Sequence, residues 1–204
     1  LSDSRHLKVL LHAFQPFDAE FRAELLSLNT PGNNELHRGA LAGNRLARAY
    51  AKVVHALLNE SGKQANDIQA IGAHGQTVRH RPLEFDADPS TGQAAVGYTL
   101  QLIEADEIAT ALQPDVAVLD LQVGSMGAMA VTMNLRLDES GGRLPHIPVV
   151  MLLDRIADVH LARRSGAEGW LVKPIDSLRL RRAVKEVCSG GVWHESVPPA
   201  MQHS

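Results

Sequence analysis

Between residues 103 and 188 the chain alternates helix-like stretches with short, unbroken apolar runs, and this alternation restricts its fold more than any other feature. The runs are DVAVLD (115–120), IPVVMLL (147–153) and GWLV (169–172). A strand that is apolar on both faces must be covered on both faces, and intervening helices supply the cover. Helical spacing recurs at 103–112, 127–139, 155–165 and 177–188. The pattern predicts an α/β fold with a parallel sheet flanked by helices. In such sheets ligands collect beyond the carboxyl ends of the strands. Asp120, the Leu153–Asp154 pair and Lys173 end the three runs and are expected to meet in one shallow pocket. A carboxylate beside a lysine is also an ordinary structural ion pair, so two readings stand at this point.

The first hundred residues read differently. HLKVLLHAF (6–14) has the composition of a strand. Phe17, Phe21, Leu25 and Leu28 then lie on one helical face, closed by the breaker at 29–32. Asn33 is the expected cap of a long helix whose apolar stripe is Leu36, Leu41, Ala47, Tyr50, Val54, Leu57 and Leu58, ended by Ser61-Gly62. DIQAIGAHG (67–75) reads as a short strand running into a glycine turn. Residues 79–97, rich in Pro, Gly, Asp and Ser, read as an exposed loop, and GYTLQL (97–102) as a strand. The tail 196–204 is expected to be loose.

Composition narrows the function classes. Apolar residues make up 45% of the chain and aromatics only 4%, so the core must be aliphatic. The formal charge of −3 leaves no electrostatic footprint for nucleic acid or an acidic membrane. No run approaches the ~18 apolar residues that span a bilayer. The single cysteine, Cys188, excludes an internal disulfide and is expected at the boundary of the core. With no signal-peptide core at the N-terminus, a cytoplasmic setting is expected.

Residues 103–195 resemble the C-terminal part of a response-regulator receiver domain, which is flavodoxin-like. PDVAVLDL (114–121), IPVVMLL (147–153) and above all SGAEGWLVKPID (165–176) carry the likeness. The resemblance implies that Asp120 is the phosphoacceptor and that Lys173 contacts the phosphoryl oxygens. It further implies a cis peptide before Pro174 and makes Trp170 the switch aromatic. Mg²⁺ would be held by Asp120 and the backbone carbonyl of Gln122. Two departures stand out. The family's acidic pair at the end of its first strand has no counterpart in residues 1–102, which implies weak or absent Mg²⁺ binding. Leu153 replaces the hydroxyl residue of the fourth strand, and Asp154 would repel a phosphoryl group if it faces inward.

Residues 7–102 resemble an interior fragment of anhydro-N-acetylmuramic acid kinase, a cell-wall recycling enzyme. The likeness rests on LLHAFQPFDAEFRAELLSLNTPGNNELHRGALAGNRLARAYAKVVHALL, on IQAIGAHGQTVRHRP and on GYTLQL. It implies that His74, Gly75 and Gln76 contact the sugar, although His74 alone also reads as a turn residue bonded to backbone. The family's glycine-rich ATP segment, which also supplies the catalytic base, is not found here. ATP is therefore expected only under the kinase alternative.

The chain thus reads as chimera-like, with a sugar-kinase-like fragment at 1–102 and a receiver-like segment at 103–204. One continuous parallel sheet, with strand 115–120 near its middle, is the expected way to join them. The favoured function is a receiver-like signalling module acting through protein–protein contacts. Its partners would be a histidine kinase or another signalling protein, or a second copy through residues 155–188. The alternatives are a sugar kinase, inactive as a fragment, and a scaffold without activity.

Overall fold

The computed structural model describes residues 8–85, 87–122 and 127–195, without the side chains of residues 82 and 83. Among the described residues, six α-helices and six strands form two separately packed parts. The first part contains α1 (Ala19–Ser27), α2 (Glu35–Ser61), β1 (Gln76–Phe85) and β2 (Val96–Leu102). Asp18 starts α1 by accepting a 2.8 Å hydrogen bond from the Phe21 N–H. Phe21, Leu25 and Leu28 then pack on Ala42 and Leu46 of α2, with Val78 and Leu102 closing the cluster. Gly62, in the left-handed conformation at φ 65°, ends α2 as expected.

Several expectations for this part need correction. The cap of α2 is Asn34, not Asn33, and its side chain makes no capping bond. Leu36 and Leu41 of the expected stripe are exposed. The buried stripe is Gly39, Ala42, Gly43, Leu46, Ala47 and Ala51, because close neighbours demand small side chains. A Cβ at Gly43 would come within 2.7 Å of Glu104 Oε1. Neither 8–14 nor 68–75 forms a strand, and residues 6 and 7 lie outside the described residues. The stretch 79–97, expected as a loop, belongs mostly to an antiparallel hairpin in which β1 pairs with β2. Pro89, Ser90 and Gly92 make the turn between the strands. There Asp88 Oδ1 accepts from Ser90 N and Oγ at 2.9 and 2.6 Å, and Gly92 takes φ 73°.

The second part is the parallel α/β structure the sequence predicts. It comprises α3 (Ala105–Leu112), β3 (Ala117–Asp120), α4 (Gly127–Ser140), β4 (Val149–Leu153), α5 (Val159–Ser165), β5 (Gly169–Val172), α6 (Ser177–Cys188) and β6 (Trp193–His194). The four strands are parallel in the order β3-β4-β5-β6, the sequential run of a doubly wound, flavodoxin-like sheet. Val149, Met151, Leu153 and Trp170 face α4 and α5, whereas Val150 and Leu171 face Ala183 and Val187 of α6. The continuous apolar runs are explained by this two-sided cover.

Among the described residues the hairpin does not join this sheet, so the expected single sheet is not formed, and β3 lies at one edge rather than near the middle. The two parts meet where α2 packs on α3, with Arg48 Nε 4.0 Å from Glu107 Oε2. Cys188, expected at the core boundary, is exposed. It follows buried Val187 by one residue, about 100° around the helix. The tail 196–204 lies outside the described residues.

Candidate functional site

Three adjacent parallel strands bring their carboxyl ends to one edge. Asp120 is the last residue of β3, paired in register with Leu152, and Asp154 follows β4 directly. Lys173 follows β5, its N–H donating 2.8 Å to the Leu153 carbonyl. The ammonium of Lys173 lies 2.6 Å from Asp120 Oδ2 and 2.8 Å from Asp154 Oδ1. The other Asp120 oxygen, Oδ1, accepts from the Gln122 N–H at 3.1 Å. All three charged side chains are between one third and one half exposed, so the pocket is shallow. Hydrogen bonds from Lys173 to Asp120 and then to Asp154 raise the lysine above its ordinary value of 10.5, and it is fully cationic at neutral pH.

The expected cis peptide is present between Lys173 and Pro174. Trp170 is buried and lies flat on His194, ring centroids 4.0 Å apart. Leu153 is fully buried in the core beneath the pocket and offers no hydroxyl. Asp154 does face the site, but as the second partner of Lys173.

One positioning residue escaped the sequence reading. Arg179 on α6 donates to the Val172 carbonyl at 3.1 Å and to the Pro174 carbonyl at 2.7 Å, bracketing Lys173. Glu195 fixes it through Arg179 Nε at 2.9 Å and itself accepts from the Val172 N–H at 2.7 Å. The only sequence signal for this was an arginine one turn into the helix after Lys-Pro.

The described residues offer a Mg²⁺ ion few oxygen donors of their own here. Mg²⁺ takes about six oxygens in near-ideal octahedral geometry. Here two carboxylates converge, both already hold Lys173, and no third His, Cys, Asp or Glu joins them among the described residues.

The second set of expected residues lies apart, ahead of and within β1. The His74 carbonyl accepts from the Tyr50 hydroxyl. Its ring Nε2 lies 3.5 Å from the Gln101 amide nitrogen. Gly75 is buried against β2, where an added Cβ would come 2.9 Å from the Leu102 carbonyl oxygen. Gln76 opens β1 and donates 3.2 Å to the Thr77 carbonyl. His74 also lines an apolar groove of about 780 Å³ with Tyr50, Val54, Leu57, Ile71 and Ile108. No helix among the described residues is long and apolar enough to cross a membrane.

Residues 1–139 match the family model of anhydro-N-acetylmuramic acid kinase. The match passes residue 102 and takes in Asp120, while Asp154 and Lys173 lie beyond it. The chain is 50% identical over 129 residues to the anhydro-N-acetylmuramic acid kinase of Variovorax paradoxus, covering 61% of this chain and 32% of that protein. It is 44% identical over 133 residues to the kinase of Bordetella pertussis, covering 63% and 32%. The chain therefore spans about a third of the length of these relatives.

Among solved structures, the signal receiver domain of the response regulator NarL from Mycobacterium tuberculosis overlaps 42% of this chain and 67% of its own, at 31% identity and a TM-score of 0.37. A LuxR-family two-component response regulator from Aurantimonas overlaps 48% and 69%, at 20% identity and a TM-score of 0.38. The kinase relatives thus account for the N-terminal part of the chain. By the match over residues 1–139, the chain belongs to the anhydro-N-acetylmuramic acid kinase family.

Proposed function

We propose that the parallel α/β part works as a receiver-type signalling module and that Asp120 accepts a phosphoryl group. The observation that carries this reading is the 2.6 Å contact between Asp120 Oδ2 and Lys173 at the carboxyl edge of the sheet. A carboxylate oxygen of Asp120 attacks phosphorus in line. The bond from phosphorus to the donor's leaving atom breaks, an imidazole nitrogen of a phosphohistidine or the acyl oxygen of an acyl phosphate, and that atom keeps the electron pair. Phosphoryl transfer needs positioning and neutralisation of spreading negative charge more than covalent help from the protein. Lys173 supplies the charge, and Arg179 fixes the backbone on either side of it. The donor is a histidine kinase or a small acyl phosphate. Output runs through the surface of residues 155–188, where Leu178 of α6 stands exposed, to a signalling protein or a second copy. Intact mass after incubation with acetyl phosphate, with and without Mg²⁺, tests the reading. It expects one added phosphoryl group in the wild type and none in Asp120→Asn. Equal gain in both proteins, or none in either, overturns it.

Family membership favours a second reading, ATP-dependent phosphorylation of anhydro-N-acetylmuramic acid, with His74, Gly75 and Gln76 at the sugar. Calorimetry with the anhydro-sugar and an assay with ATP test it together. Sugar phosphate formed above a protein-free control supports it. Neither heat of binding nor product overturns it.

A further inference from the structure

We infer that Asp154 is a built-in anionic occupant of Lys173 that restrains phosphorylation of Asp120. This rests on the reading of Asp120 as phosphoacceptor. Lys173 is shared by two carboxylates, at 2.6 Å to Asp120 and 2.8 Å to Asp154. The pocket's three charged groups therefore carry one net negative charge before any phosphoryl group arrives. An acyl phosphate on Asp120 carries about one charge more than the carboxylate it replaces. It would have to share Lys173 with Asp154.

Geometry keeps Asp154 in place. Lys173 is tied to β4 by its N–H bond to Leu153, the residue before Asp154. Arg179 brackets Lys173 through the Val172 and Pro174 carbonyls. The backbone of Lys173 is therefore held beside Asp154, within reach of the 2.8 Å contact. Leu153 is buried and has no hydrogen bond to offer an incoming phosphoryl oxygen, so nothing at that position offsets the repulsion. Asp154 thus takes up part of the Lys173 ammonium that a phosphoryl oxygen would otherwise use.

Two measurements on the full chain test this, using Asp154→Asn and Asp154→Ser, each checked for folding by circular dichroism. The first is the rate of mass gain from acetyl phosphate. The Asp154 variants are expected to label about tenfold faster than the wild type, the size of one like-charge repulsion at a partly exposed site. The second is acetylation of Lys173 by an amine-reactive ester, read by peptide mass mapping, which needs no phosphorylation. Releasing Lys173 from Asp154 should raise its reactivity several-fold. Unchanged Lys173 reactivity, or labelling as slow as in the wild type where the wild type does label, overturns the inference. Raised Lys173 reactivity with no phosphoryl gain in any protein supports Asp154 as the anchor of Lys173 and overturns the phosphoacceptor reading instead.

Discussion

Single residues decide whether the pocket is set for chemistry, and Arg179 carries most of that burden from outside it. Its guanidinium spans two carbonyls on either side of Lys173, a geometry that a lysine cannot reproduce. Arg179→Lys should lower stability by about 2 kcal/mol, in the range of charged hydrogen bonds, as read by urea denaturation. It should also slow the labelling of Asp120. A variant that loses stability but labels at the wild-type rate would make Arg179 purely structural. Gly75 is the corresponding point in the hairpin. A methyl there meets the Leu102 carbonyl oxygen at 2.9 Å and Ile103 Cβ at 3.1 Å. Gly75→Ala should therefore cost about 1–3 kcal/mol through overpacking. Unchanged stability would mean that the hairpin shifts freely. This glycine reads as a ligand contact from its resemblance, whereas its packing against β2 is invisible in sequence because Leu102 lies far along the chain.

At the scale of elements, an ion pair adds to the apolar cluster that links α2 with the hairpin. Glu35 accepts from the Gly32 N–H and from Arg79 on β1, 2.7 Å away, and these contacts, the first foremost, lower its pKa below the ordinary 4.5. A carboxyl group depressed on folding stabilises the fold above its unfolded value, and that contribution is lost as pH falls through the folded value. The melting temperature of Glu35→Gln should thus lie below the wild type at pH 7, and the gap should close as pH drops below 4.5. A gap that persists in acid would show that the ion pair contributes nothing.

The elements also show which signals reach the sequence. β3, β4 and β5 were legible because burial on both faces leaves an unbroken apolar run. β1 was not, because QTVRHRPLEF is mostly polar and its one proline, Pro82, marks a loop as readily as a strand. AIGAHG has a strand's composition, but a strand exists only when a neighbour takes its backbone hydrogen bonds, and here none does among the described residues. The stripe of α2 was misjudged for a related reason. Large apolar residues suggest burial, yet glycine and alanine permit the close approach of β2 and α3.

For the whole molecule, the sequence divides into two resemblances and the structure into two packed parts, but the divisions do not coincide. The kinase-family match runs to residue 139, through α3, β3 and most of α4, which pack in the core of the parallel sheet. The candidate site straddles this limit, with Asp120 inside the match and Lys173 outside it. Asp120 and Lys173 were legible because each sits at or just beyond the end of an apolar run, whereas the cis peptide before Pro174 followed from the receiver resemblance. The contact of Asp154 with Lys173 was not legible, since nothing in the sequence shows which cation an acidic residue after a strand will reach.

The measurement closest to the central claim is chemical mapping of the modified residue. Acetyl phosphate-treated protein is reduced with borohydride, which converts an aspartyl phosphate to homoserine, and its peptides are sequenced by mass spectrometry. The account predicts homoserine at position 120 and aspartate at every other aspartyl position. Homoserine at another position, or unmodified Asp120 in protein that has gained a phosphoryl group, would contradict it.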